Sequence, residues 1–331
     1  EKEVRLLLIA GDLFDSNSVS AQAVAAVQKA LSSIPETIVG ISAGNHDCTG
    51  AGSPYNKDGW SENVHIFSGE IKTVCFDDLG LRLCGGGFSS PYQKEPLLQG
   101  FSAPDDELIN IAVLHGELSS AATDSFYNPI TPYMLSASNL DYAALGHVHT
   151  ATDILKAGKT RYGYCGCPEG RGFDEDGEKG VFIGEVGKNH CDLEFVPTAA
   201  RLHIVTEVDI SSAENAGEIA KTVLDAIDGY ADFRKNLYKI ILIGETASSP
   251  DIPAIKARLE QEGIYFIKIS DKTRAKLDIT SLAEENSLRG LFTAKLIASG
   301  ENGDNSIYAE ALRLGLKAFD GDIAGGIQDE I

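Results

Sequence analysis

Four times in this 331-residue chain, a continuous apolar run of strand length stops at polar residues able to hold a metal ion. The runs are VRLLLIA before GDLFD, TIVGISA before GNHD, INIAVL before HG, and DYAAL before GHVH. Continuous rather than alternating apolar residues mark strands buried on both faces, as in a sheet covered by helices. Between the first two runs lies SVSAQAVAAVQKALSSIP, in which Val19, Val24, Val27 and Leu31 fall near helical spacing. Ser16 or Ser18 can cap the start of that helix and Pro35 follows its end. A strand, helix and strand in this order make a crossover that leaves the two strands parallel. The expected fold class is α/β.

In open α/β sheets the ligand crevice lies outside the carboxyl ends of the strands, so four motifs at four strand ends converge on one site. The groups brought there are Asp12, Asp15, Asn45, His46, Asp47, His115, His147 and His149. Carboxylate, amide and imidazole without thiolate suit Mn²⁺, Fe²⁺ or Zn²⁺, which take both oxygen and nitrogen ligands. A carboxylate able to bridge two ions, set among neutral imidazoles, is what a two-metal phosphate-ester hydrolase needs. There, paired cations acidify a water and hold the attacking and leaving oxygens in line.

Length and composition bound the alternatives. A chain of 331 residues exceeds the size at which single cores stop growing, so two domains are expected. No apolar run approaches the ~20 residues needed to span a bilayer, and EKEVRLLLIAGD lacks the form of a signal peptide. A cytoplasmic protein without a membrane partner is expected. The six cysteines are scattered, which suits reduced thiols; the pair in YCGCPEG reads as small buried residues rather than half of a zinc site. A formal charge of −21 argues against a protein that grips phosphate backbones with a general basic surface. One basic cluster, KISDKTRAK with Lys268, Lys272, Arg274 and Lys276, reads equally as a solvated surface or a phosphate contact.

After FVPTAARL the pattern changes to alternating strand and helix. LHIVTEVDI reads as a strand, SSAENAGEIAKTVLDAI as a helix capped by Ser211 or Ser212, and YKIILIGET, DIPAIKARLEQEG and IYFIKISDK as strand, helix and strand. The last fifty or so residues hold two helical patterns, SLAEENSLRGLFTAKLIAS and NSIYAEALRLGLKAFDG, separated by the turn-rich GENGDN. Their expected apolar faces are Leu288, Leu291, Phe292 and Leu296, and Ile307, Ala311, Leu312 and Leu314.

Taken together, GDxxD, GNHD, a later His-Gly and GHxH resemble, in order and separation, the motifs of the calcineurin-like metallophosphoesterase superfamily. DYAALGHVHTAT and YCGCPEGRGFDEDGEKG further resemble its bacterial DNA-repair exonuclease branch, the SbcD-type and YhaO-type nucleases, with Cys167 where that branch usually has Ser. The resemblance is strong over about residues 4–200. It implies three parts: a metallophosphoesterase domain over 1–200, a small α+β capping domain over 201–280 that helps choose DNA ends, and a C-terminal helical segment over 281–331. A stabilising or dimerising appendage is the plainer reading of the second part. The resemblance also implies a partner, an SMC-like coiled-coil ATPase docking on the C-terminal helical segment through its second helix, with DNA as the substrate.

Carried over motif by motif, Asp12 would bridge two divalent ions, with Mn²⁺ favoured. Asn45, His115 and His147 would complete one metal site, and His149 would reach to the other. His46 would face the scissile phosphate, stabilising charge or protonating the leaving oxygen, with Asp47 orienting its ring. Asp15 reads equally as a helix cap. The family's DxH motif, which precedes GDxxD, does not occur among these residues. Two explanations compete, a parent N-terminal segment lying outside the sequence or a lost ligand pair. The first is favoured, since a sheet stripped of a central strand exposes edges. On that reading these 331 residues are expected to be catalytically impaired. The functions implied are a Mn²⁺-dependent DNA nuclease, a phosphodiesterase for a nucleotide or other small phosphoester, or a non-enzymatic scaffold.

Overall fold

The computed structural model describes residues 3–121, 125–276, 278–300 and 305–320. The chain divides into two compact units, Glu1–Val205 with Arg234–Lys239, and Thr206–Phe233 with Ile240–Ile331.

The first unit begins with β1 (Leu6–Ala10), α1 (Ala21–Ser32), β2 (Ile38–Ser42) and β3 (Val64–Phe67), which give a three-stranded parallel sheet in the order β1-β2-β3. The helix is capped by Ser20, whose Oγ accepts the Ala23 N–H at 3.2 Å, and not by Ser16 or Ser18. Ser16 instead accepts the Ser18 N–H and shapes the loop ahead of the helix.

A second sheet follows from β4 (Gly69–Phe76), β5 (Leu81–Gly87), β6 (Ile109–His115), α2 (Pro132–Ala137), β7 (Tyr142–Gly146), β8 (Leu155–Ala157) and β9 (Thr160–Tyr164). Its order is β4-β5-β6-β7-β9-β8, parallel in the middle and antiparallel at both edges. The four ligand-bearing strands are therefore shared, β1 and β2 in one sheet and β6 and β7 in the other.

The sheets pack face to face. Phe67, Leu83, Ile111 and Val113 form a shared core, against which Leu6, Leu8 and Ile38 pack. On its other face the first sheet buries Val39 and Ile41 against Val24 and Leu31 of α1. That double burial is what the continuous apolar runs required; one of the covering layers is a second sheet rather than helices. An antiparallel hairpin, β10 (Gly180–Gly187) with β11 (His190–Pro197), completes these elements.

The elements that follow are β12 (His203–Asp209), α3 (Ala216–Ile227), β13 (Leu237–Ile243), β14 (Glu245–Thr246), α4 (Ile252–Gln261), β15 (Phe266–Asp271) and β16 (Arg274–Ala275). They give a three-stranded sheet in the order β12-β13-β15 and a short parallel pair, β14 with β16. The cap of α3 is Asn215, accepting from the Gly217 and Glu218 N–H groups, because Ser211 is already bonded to Asp209. Lys272 and Arg274 of the basic cluster line a cleft of about 480 Å³ together with Asp209, Glu245 and Arg313.

The first C-terminal helical pattern is broken in two, α5 (Ile279–Glu284) and α6 (Leu288–Gly300), because Glu285 turns to extended backbone. With α7 (Asn305–Asp320) they bury Leu282, Leu312 and Leu316, with Phe292 and Leu296 packed alongside. Leu288, Leu291 and Leu314, expected on the buried faces, are exposed. The turn at 301–304 and the Ile307 side chain lie outside the described residues. Among the described residues no helix is long and apolar enough to cross a membrane.

Candidate metal centre

Asp12 and His115 meet because backbone geometry at the strand ends permits it. Just past β1 the chain turns through Gly11 at φ +89° and Asp12 at φ +51°. Any Cβ at position 11 would run into the His115 ring, so the residue must be glycine on both steric and conformational grounds. Position 44, after β2, is similarly tight: a Cβ there would strike the Asp12 carboxylate. His147, after β7, also holds a positive φ of +105°, a strained conformation for a side chain of this size.

The resulting cluster contains one donor atom each from Asp12, His115 and His147, all within 4.8 Å of one another, and it is the one such group among the described residues. Asn45 joins it, its Oδ1 lying 2.9 Å from His115 Nε2 and 3.2 Å from His147 Nδ1. His115 is fully buried and its Nδ1 lies 2.8 Å from the Ala10 carbonyl, which can only accept, so Nδ1 carries the proton. His115 Nε2 then faces Asn45 Oδ1 at 2.9 Å and Asp12 Oδ2 at 3.3 Å. An imidazole nitrogen, an amide oxygen and a carboxylate oxygen crowded this closely suit a cation held among them, and a backbone carbonyl fixing the far nitrogen is how imidazole ligands are oriented. The residues present therefore fit a divalent ion of the borderline class.

The electrostatics agree. Burial tends to raise the Asp12 carboxyl, but the His115 ring and the His46 N–H outweigh it and hold the group below the usual carboxylate range. Burial, reinforced by the neighbouring His115, pushes the His147 ring down and keeps it neutral, the form that binds metal. Phe88 stands edge-on to His115 at 5.4 Å, and Tyr127 lies against His147 at 4.9 Å with a 30° tilt, so both rings are wedged in place.

His46 sits beside this cluster and is exposed. Its N–H donates to Asp12 Oδ1 at 2.9 Å, and its ring Nδ1 lies 3.0 Å from the Asp15 carbonyl. The expected orienting role of Asp47 is not what the geometry provides. Asp47 is buried, and its oxygens accept from the Gly44 N–H at 2.7 Å, the Phe14 N–H at 3.1 Å and the Tyr55 hydroxyl at 2.5 Å. It ties the loop after β1 to the end of β2, and the Asp15 main chain takes over the His46 ring. Burial pushes the Asp47 carboxyl up, against the pull of its three donors.

Asp15 is not a helix cap. Its carboxylate meets Arg171 Nη1 at 2.7 Å. His149 lies outside the three-donor cluster; its Nδ1 is paired with Glu175 Oε1 at 2.7 Å, leaving Nε2 as the free ring atom. The same Glu175 accepts the Arg171 N–H at 2.6 Å, and buried Lys179 donates to the His149 carbonyl at 3.0 Å. Sequence reasoning gave Arg171, Glu175, Lys179 and Tyr127 no role. The signal available for the first three was the charge-dense stretch EGRGFDEDGEKG, which follows the last histidine motif after two short strands. All six cysteines are free thiols.

Two packed sheets with a carboxylate, an amide and imidazoles converging at their strand ends define a metal-binding α/β protein. The chain carries a domain of the calcineurin-like phosphoesterase family, whose model matches residues 1–151. It is similar to the uncharacterized metallophosphoesterase YhaO of Bacillus subtilis, 29% identical over 306 residues that cover 85% of this chain and 73% of that protein. It is also similar to the DNA double-strand break repair protein Mre11 of Methanopyrus kandleri, 28% identical over 321 residues, 87% of this chain and 68% of the relative. The protein is accordingly a hydrolase acting on phosphoester bonds.

Proposed function

We propose that this hydrolase is a nuclease that cleaves DNA phosphodiester bonds in repair, using two divalent ions with Mn²⁺ favoured. The observation that carries this reading is the double use of Asp12: Oδ2 faces buried His115, and Oδ1 receives the main-chain N–H of His46, whose side chain is exposed. One carboxylate thus joins a buried ligand wall to the main chain that carries a solvent-facing imidazole. Bound divalent cations would supply Lewis acidity and an activated water at Asp12, Asn45, His115 and His147, with His149 serving the second ion. His46, its Nδ1–H facing the Asp15 carbonyl, would as an imidazolium donate its Nε2–H to the leaving oxygen or to the charge that develops on the phosphate. The likeness to a DNA double-strand break repair protein supports DNA as the substrate. In this reading the part following the phosphoesterase domain acts as a cap that selects DNA ends, and exposed Leu288, Leu291 and Leu314 are where an SMC-like coiled-coil ATPase would dock.

A second reading keeps the chemistry and changes the substrate to a nucleotide or other small phosphoester. The charge of −21 favours it, because such a surface repels a long polyanion. Hydrolysis of linear single-stranded and duplex DNA and of a chromogenic phosphodiester, each in Mn²⁺ and in chelator, separates the two. Mn²⁺-dependent cleavage of DNA supports the nuclease; cleavage of the chromogenic ester with intact DNA supports the small-substrate enzyme.

A further inference from the structure

The Tyr127 ring that wedges His147 is the inner end of an aromatic cluster that runs outward from the metal centre. Tyr92 lies 6.0 Å from Tyr127 and 6.4 Å from Phe126, ring centre to ring centre, tilted against the first and edge-on to the second. Tyr92 is 61% exposed and Phe126 55%, so the outer rings are solvated although large aromatic side chains gain most from burial. The cluster is built on paired backbone. Gln93 bridges to Tyr127 in parallel register, its N–H donating to the Phe126 carbonyl at 2.9 Å and its carbonyl accepting the Asn128 N–H at 2.6 Å. Residues one position earlier on each strand then emerge on the same face, which sets Tyr92 beside Phe126. Lys94, two residues after Tyr92, holds its Nζ 4.6 Å from the centre of the Phe126 ring.

We propose that Tyr92, supported by Phe126 and Tyr127 and flanked by Lys94, is a stacking platform for an unpaired nucleobase of the strand being cleaved. The proposal rests on the nuclease reading and sharpens it, since it makes the substrate a single strand or a frayed end. The chain of rings His147, Tyr127, Tyr92 connects a metal ligand to the platform without a break, so a phosphate at the metal centre leaves its neighbouring base within reach of an exposed aromatic face. Base–aromatic stacking tolerates any sequence because every base has a π-face. In a chain of net charge −21, a lysine at this position complements the phosphates of such a strand. A duplex interior would not engage Tyr92, because its bases are already stacked on one another.

The test compares binding of a dye-labelled single-stranded oligonucleotide with that of an abasic strand carrying the same number of phosphates, in chelator so that neither is cut. The base-bearing strand is expected to bind about ten-fold or more tightly. Tyr92→Ala should reduce that ratio to near one and Tyr92→Phe should retain it, with thermal unfolding unchanged in both because the side chain is exposed. Equal affinity for the two strands, no measurable binding of either, or a Tyr92→Ala variant that keeps the preference would overturn the platform; a protein-docking role for the patch predicts the first of these. Hydrolysis of the abasic strand in Mn²⁺ is read separately. If it is cut but no base preference exists, the platform fails and the nuclease stands. A base preference with no strand cut at all by the full-length protein sinks the nuclease reading instead.

Discussion

His115 Nε2 lies 3.3 Å from Asp12 Oδ2, although Asp12 follows an edge strand of one sheet and His115 ends a central strand of the other. The approach depends on Gly11, whose place beside the His115 ring admits no Cβ. Gly11→Ala therefore displaces the ring and imposes a left-handed residue, costing about 1–2 kcal/mol from backbone conformation alone. Urea unfolding should show at least this loss, and Mn²⁺ affinity measured on the folded fraction should fall with it. Wild-type stability and affinity in the alanine variant would show that the close approach is dispensable.

Asp47 stabilises the site's framework and acts only indirectly on chemistry. Asp47→Ala leaves the Gly44 and Phe14 N–H groups and the Tyr55 hydroxyl without their acceptor. Each buried unsatisfied group costs about 1–3 kcal/mol, so a loss of roughly 3 kcal/mol or more is expected in denaturant unfolding. His46→Ala, which removes an exposed ring, should unfold like the wild type. Equal stabilities for the two variants would contradict this division of labour.

The first unit also carries an acid-sensitive pair remote from the metal donors. Arg82 grips Asp106 with two hydrogen bonds, at 3.1 and 2.6 Å, and holds its carboxyl down to about 2. The depressed value means the unfolded chain binds the proton more readily. The pair's contribution is therefore present above about pH 4 and is lost as pH falls toward 2. Asp106→Asn should flatten the stability profile in that window and leave it unchanged at pH 7 apart from a constant offset. An unaltered acid limb would show that the pair does not govern it.

How much of this was legible in the sequence can be argued residue by residue. The four apolar runs gave β1, β2, β6 and β7, and the polar ends of those runs held Asp12, Asn45, His115 and His147, which the fold brings together. Their distribution over two sheets was not legible, because a run buried on both faces does not say whether helix or sheet covers it. Cap residues were misplaced at both Ser20 and Asn215 because several hydroxyl and amide side chains compete within a few positions and the backbone decides among them. The Asp47 partners Phe14 and Tyr55, and the Glu175 carboxylate on His149, are long-range pairings that leave no periodic trace in the chain.

The central claim is that Asp12 binds metal while His46 works on the substrate, and one calorimetric series tests it. Mn²⁺ titrations of the wild type, Asp12→Asn and His46→Ala are set beside Mn²⁺-stimulated phosphodiester hydrolysis by the same samples. The expected result is a loss of affinity of about 100-fold or more in Asp12→Asn, since even outer-shell partners are worth about 10–100-fold. His46→Ala should bind Mn²⁺ as the wild type does and show no stimulated hydrolysis. Undiminished Mn²⁺ binding by Asp12→Asn, or wild-type turnover by His46→Ala, would contradict the account.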